Sequence, residues 1–113
     1  MMMGRAALLS AQLAKRQPGW IAGFRRSQEA LFRSQEHTYR AMGLFRRAGG
    51  QLPASSGVCG SLALARTSLS HVAGLESPSP EDARFHDEAA RLRASADNWQ
   101  QVIDAMIAEY QCL

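Results

Sequence analysis

Carboxylates are missing from the first 28 residues of this 113-residue chain: Arg5, Lys15, Arg16, Arg25 and Arg26 all precede the first acid, Glu29. Cysteine is nearly absent too. Cys59 and Cys112 are the two present, too few for a disulfide-dense scaffold, and the pair suits either a reducing compartment or one bridge that sequence cannot establish. Strand-type alternation is almost wanting, and no run of eighteen uncharged apolar residues occurs, so no segment qualifies as a spanning helix. His37, His71 and His86 are isolated, neither cysteine has a CxxC or adjacent His partner, and Gly57 and Gly60 flank Val58-Cys59 without the Lys-Ser/Thr of a phosphate loop. The expectation is therefore no enzyme: no catalytic, cofactor-binding or metal-ligating residues, no cofactor and no small-molecule substrate.

What is present is ordinary for one small globular domain. Apolar residues make up 46% and charged residues 20%, which disfavours wholesale disorder, and a compact chain of this mass buries about two-thirds of its unfolded surface. The charge is unevenly divided. Residues 1–50 hold nine Lys or Arg against two acids, and residues 51–113 hold four against eight. Such halves can neutralise one another, pair with a second copy, or leave the basic half for an anionic surface.

An acid-free, Arg-containing, Ala/Leu/Ser-rich start has the composition of a mitochondrial transit peptide. Residues 1–19 are read as this basic segment and residues 20–113 as a single helical domain. Pro18-Gly19, Gly49-Gly50 with Pro53 and Ser55-Ser56-Gly57, and Ser77-Pro78-Ser79-Pro80 punctuate the chain. The fold class is all-α: a short N-terminal helix at about 5–17, two long helices at about 20–48 and 80–111 in an antiparallel hairpin or coiled-coil arrangement, and a flexible Gly/Ser-rich connector, 49–79. Within that connector Leu62, Ala65, Leu69 and Val72 keep helical spacing over about 61–73.

Written in sevens from Phe24, the first long helix reads FRRSQEA, LFRSQEH, TYRAMGL, FRRAGGQ. Its third column is Arg26, Arg33, Arg40 and Arg47; its first is Phe24, Leu31, Thr38 and Phe45, which forms a mostly apolar stripe. Four-residue steps from that stripe land on Gln28, Gln35 and Met42, an imperfect coiled-coil seam. Glu29 and Glu36 interleave with Arg26, Arg33 and Arg40 as a ladder of helical ion pairs, each contributing about 0.2–0.5 kcal/mol. Arg25, Arg26, Arg46 and Arg47 have charge to spare for anionic lipid or nucleic acid, with Phe32 and Tyr39 as interleaved aromatics.

The last helix has the most regular pattern. Ser79, Pro80, Glu81 and Asp82 supply a cap, a first-turn proline and acids at the positive end of the dipole. Phe85, Ala89, Leu92, Ala96, Trp99, Ile103, Met106 and Tyr110 then recur in alternating steps of four and three, a left-handed packing seam. Phe85, Leu92, Trp99, Ile103, Met106 and Tyr110 are the candidate partner-binding residues, toward a protein partner or a second copy.

Leu31-Phe32-Arg33 and Leu44-Phe45-Arg46 resemble the Leu-Tyr-Arg signature of small basic mitochondrial helical proteins that assist or join respiratory complexes. Phenylalanine stands in place of the signature tyrosine, each match covers three residues, and the Gly/Ser-rich middle departs from that pattern. The resemblance implies a mitochondrial setting and nothing more.

These features predict a non-catalytic helical assembly or adaptor subunit of a larger complex; the alternative is a peripheral binder of anionic surfaces, lipid or nucleic acid, through the basic N-terminal half. The expected location is intracellular, mitochondrial if residues 1–19 direct it there and cytoplasmic otherwise. Fused to a fluorescent reporter, residues 1–28 should send it to mitochondria, and Arg5, Lys15 and Arg16 changed to Glu should leave it diffuse. A diffuse reporter with the native segment removes the mitochondrial expectation.

Overall fold

The computed structural model describes residues 18–73, 75, 78 and 80–113. The expected helix at about 5–17, most of the basic segment 1–19, and Ser79 lie outside the described residues. Among the described residues there are three α-helices, α1 (Pro18–Arg47), α2 (Ser56–Ala73) and α3 (His86–Glu109), with a 3-10 helix, Pro80–Phe85, leading into α3. No strand occurs among the described residues. The all-α class is what the structure has.

Proline at the start of α1 loses nothing, because the first helical N–H groups have no intrahelical acceptor. At the other end Gly49 and Gly50 adopt φ of +80° and +66°, and their N–H groups donate to the carbonyls of Arg46 and Phe45 at 3.0 and 2.9 Å. This pairing closes the helix and turns the chain back. The chain then enters α2, which lies inside the stretch expected to be a flexible connector. Val58, Leu62, Ala65, Leu69 and Val72 are all buried along one stripe of it, the helical spacing noted above, extended to an earlier start at Ser56.

α2 changes the pairing of the long helices. Residues of α2 and α3 in contact run in opposite senses: Cys59 with Cys112, Arg66 with Asp104, and Leu75, just past α2, with Arg93. Residues of the first and last helical segments in contact run in the same sense: Trp20 with Phe85, Thr38 with Trp99, Phe45 with Tyr110. The two long helices are thus parallel, and the expected antiparallel hairpin between them is corrected. Three helices joined by short turns run up, down and up, so the first and third must share a direction. α1 has its most extensive contact with α2 and much less with α3.

The reason lies in the fourth column of the heptad array. Ser27, Ser34 and Ala41 are buried, as are Ala30 and Thr38, so the seam of α1 steps three residues from the apolar column rather than four. Gln28 is exposed and Gln35 and Met42 are only half-buried. Small side chains let α2 approach closely, and Ser34 Oγ, fully buried, donates to the Ala65 carbonyl at 2.7 Å. A buried hydroxyl so satisfied contributes about 1 kcal/mol, whereas an unpaired one would cost more.

α3 begins later than the pattern implied: a 3-10 segment covers Pro80–Phe85, and Phe85 is the N-cap of the α-helix, with no side-chain cap bond. It ends at Glu109. The N–H groups of Gln111 and Cys112 donate to the carbonyls of Ala108 and Ile107, with Gln111 at φ +57°, a left-handed turn that costs a non-glycine residue about 1 kcal/mol. That turn delivers Cys112 to Cys59, whose Cα atoms lie 5.4 Å apart in a disulfide. Between the two readings left open for the cysteines, the structure has the bridge.

Enlarging the α1–α2 contact tests its closeness. Ser34→Leu should destabilise the oxidised protein in urea by about 2–3 kcal/mol through overpacking, Ser34→Ala by about 1 kcal/mol, and the exposed Gln28→Leu by no more than about 0.5 kcal/mol. A neutral Ser34→Leu would refute the close approach.

Candidate protein-interaction surface

The α3 seam faces inward over its full length. Leu92, Ile103 and Met106 are buried, joined by Ala89, Ala96 and Ile107, and Phe85, Trp99 and Tyr110 are half-buried. Each of these three rings meets α1. Phe85 packs 5.3 Å from Trp20, which stacks on Phe24 at 5.1 Å. Tyr110 stacks on Phe45 at 4.1 Å. Trp99 lies 5.8 Å from Tyr39, and its indole N–H donates to Thr38 Oγ1 at 3.2 Å. The six residues expected to take a partner are instead gathered against this chain's own helices.

Hydrogen bonds tie the three helices together behind that seam. Thr38 Oγ1 receives the Trp99 N–H and donates to the Ser34 carbonyl at 2.8 Å, while Ser34 Oγ reaches Ala65 on α2. Thr38 and Ser34 are fully buried, so every member of the relay holds a partner in a setting where an orphan would be costly. His37 is the exception: its Nδ1 is buried without a partner. No cluster of His, Cys, Asp or Glu able to hold a metal occurs among the described residues.

The opposite side of α1 is open. Seven-residue steps place Arg25, Phe32, Tyr39 and Arg46 in one column, with Glu29, Glu36 and Gly43 beside it and the column Arg26, Arg33, Arg40 and Arg47 beyond. All six arginines and both glutamates are exposed. Phe32 and Tyr39 stand 61% and 59% exposed, the two most open aromatic rings of the described residues. Of the expected ladder one pair closes, Arg33 with Glu29 at 3.9 Å. Arg25, Arg26, Arg46 and Arg47 form no ion pair among the described residues. A shallow indentation of about 410 Å³ lies at Gln28, Glu29, Phe32 and Arg33, and another of about 360 Å³ at Gly43, Arg46 and Arg47.

The sequence had singled out the four arginines and the two aromatics; the structure puts all six on one helix side. Sequence reasoning missed the exposed Leu64 on α2 and Val102 on α3, which break the polar run of their helices without a periodic signal. No helix is long and apolar enough to cross a membrane among the described residues. No family model, curated protein or solved structure matches the chain, so its own residues carry the functional argument.

Trp99→Ala should lower stability by about 2–3 kcal/mol, below the value for a fully buried ring because part of the indole is open. Trp99→Phe should lose about 1 kcal/mol with the Thr38 hydrogen bond, and Gln100→Ala, outside the seam, should stay within about 0.5 kcal/mol in the same urea titration.

Proposed function

We propose that this chain is a non-catalytic helical assembly or adaptor subunit that joins a larger protein complex, in mitochondria, and that its contact surface is the outward side of α1. The observation that carries the reading is the pair of open rings, Phe32 and Tyr39, set between arginines that no acid of the described residues neutralises. Exposed aromatics and arginines are the residue types that anchor protein interfaces. The α3 seam, the contact expected from the sequence, packs within the bundle and so leaves the outward side of α1 as the open surface.

The acid-free start up to Glu29 supports the mitochondrial location, and the Cys59–Cys112 bridge suits a compartment oxidising enough to keep it. The second reading, a peripheral binder of anionic lipid or nucleic acid, is favoured by the unpaired Arg25, Arg26, Arg46 and Arg47. Salt separates the two. Screening shortens from about 10 Å at about 0.1 M to about 3 Å at about 1 M salt, so an interface with an apolar centre outlasts phosphate contacts.

The test is affinity capture of the full chain from cells at low and high salt, comparing wild type, Phe32→Ser, and a variant with the four arginines changed to Gln. A protein partner retained at high salt and lost with Phe32→Ser is expected. Recovery of lipid or nucleic acid that disappears at high salt and in the Gln variant, with Phe32→Ser harmless, would replace the adaptor reading by the second.

A further inference from the structure

Resting on the adaptor reading, we infer that the outward side of α1 docks an α-helix of another protein that is acidic at both ends and apolar in the middle, at two positions one heptad apart. The pattern is read from three bands. Arg25 and Arg26 stand at one end and Arg46 and Arg47 at the other, 21 residues apart from Arg25 to Arg46, which is about 32 Å along the helix. Phe32 and Tyr39 occupy the middle, about 10 Å apart on the same column. Glu29 and Glu36 flank Phe32 one turn before and one turn after it, and the exposed Arg33 and Arg40 balance them, Arg33 pairing with Glu29. An apolar centre with balanced charge beside it and cationic ends make a template for a helix lying along α1, with apolar side chains one heptad apart over the rings.

Other occupants fit the same side less well. A second copy crossing antiparallel would set Phe32 against Tyr39 but would also bring Arg25 against Arg46 of the other chain, like charges facing at both ends. The chain's own residues 1–17 carry Arg5, Lys15 and Arg16 and no acid, so they repel the arginines they would have to cover. A nucleic-acid strand would find two rings about 10 Å apart, wider than successive stacked bases, with a carboxylate on either side of Phe32. A protein helix with apolar side chains at its middle covers the rings, and acids at its ends meet the arginines. The indentation beside Phe32, lined by Gln28, Glu29 and Arg33, is a seat for one side chain of such a helix.

Photo-cross-linking tests this in cells. A benzophenone amino acid replaces Phe32, Leu64 or Val102 in turn in the full chain, each an exposed position, and the adduct is identified by mass spectrometry down to the peptide. The expected result is an adduct from position 32 with a helical segment of another protein that carries acids about 20 residues apart and apolar residues between them. Arg25→Gln, Arg26→Gln, Arg46→Gln and Arg47→Gln together should cut its yield by about tenfold or more, while the protein still unfolds in one urea transition, its midpoint lowered slightly by the loss of two cations from the last turn of α1. A nucleic-acid or lipid adduct, a self-adduct, a protein segment of the wrong charge order, or no adduct at position 32 overturns the inference. Protein adducts from Leu64 or Val102 without one from position 32 would leave an adaptor role standing but exclude the outward side of α1 as its contact surface; no protein adduct at any position would remove both.

Discussion

Close approach of α1 and α2 is the constraint on which the rest of the bundle depends. It is made by side chains that withdraw rather than fill: Ser27, Ala30, Ser34 and Ala41 on α1 and Ser61 and Ala65 on α2 are all buried. With so little volume between the backbones, polar hydroxyls can be internal only if they find acceptors, and Ser34 finds the Ala65 carbonyl across the seam. Larger side chains enter where α3 lies over the pair. Leu62, Leu69, Leu92, Ile103 and Met106 form that layer, and Trp99 links it to the polar relay through Thr38. Small residues therefore set the α1–α2 distance, and large ones fill the space that this distance leaves.

The other end of the molecule is held by a different combination. The Phe45–Tyr110 stack, the Ala54 N–H on the Tyr110 carbonyl at 2.9 Å and the Cys59–Cys112 bridge bring three distant segments to one place. A bridge closing 53 residues removes chain entropy from the unfolded state worth about 4 kcal/mol in the loop-closure picture. For a domain of this size that is a large fraction of total stability. The left-handed turn at Gln111 is tolerated because the cross-link and the ring stack on either side of it hold the backbone there.

Much of this was legible. The eight-residue seam from Phe85 to Tyr110 faces inward as its four-three spacing implied, because large apolar side chains leave an unambiguous period. The stripe of Leu62, Ala65, Leu69 and Val72 was equally visible, yet Gly57, Gly60 and the surrounding serines gave its stretch the composition of a connector. The pairing was lost at Ser27 and Ser34. A serine in a seam is indistinguishable by hydropathy from a serine in solvent, so the apolar column of α1 was matched with Gln28 and Gln35 instead of with the small residues one position earlier. The antiparallel pairing of the long helices had another source: with residues 49–79 read as a connector, no helix stood between them to reverse the chain. The bridge was illegible for another reason: two cysteines 53 residues apart meet only through the tertiary fold.

The charge division, which invited internal neutralisation, is left standing by the same geometry. With α2 against the small-residue side of α1 and α3 running parallel over its apolar column, the third column of arginines points away from both. Only Arg66 and Asp104 form an ion pair between helices among the described residues, at 2.9 Å and half-exposed, worth at most about 1 kcal/mol in water. The six arginines of α1 meet just Glu29 and Glu36 on their own helix. Folding thus concentrates positive charge on one side instead of cancelling it, and it places the two open rings in the middle of that charge. Two rings bounded by cations that close no ion pair among the described residues would select a partner by what they repel as much as by what they attract.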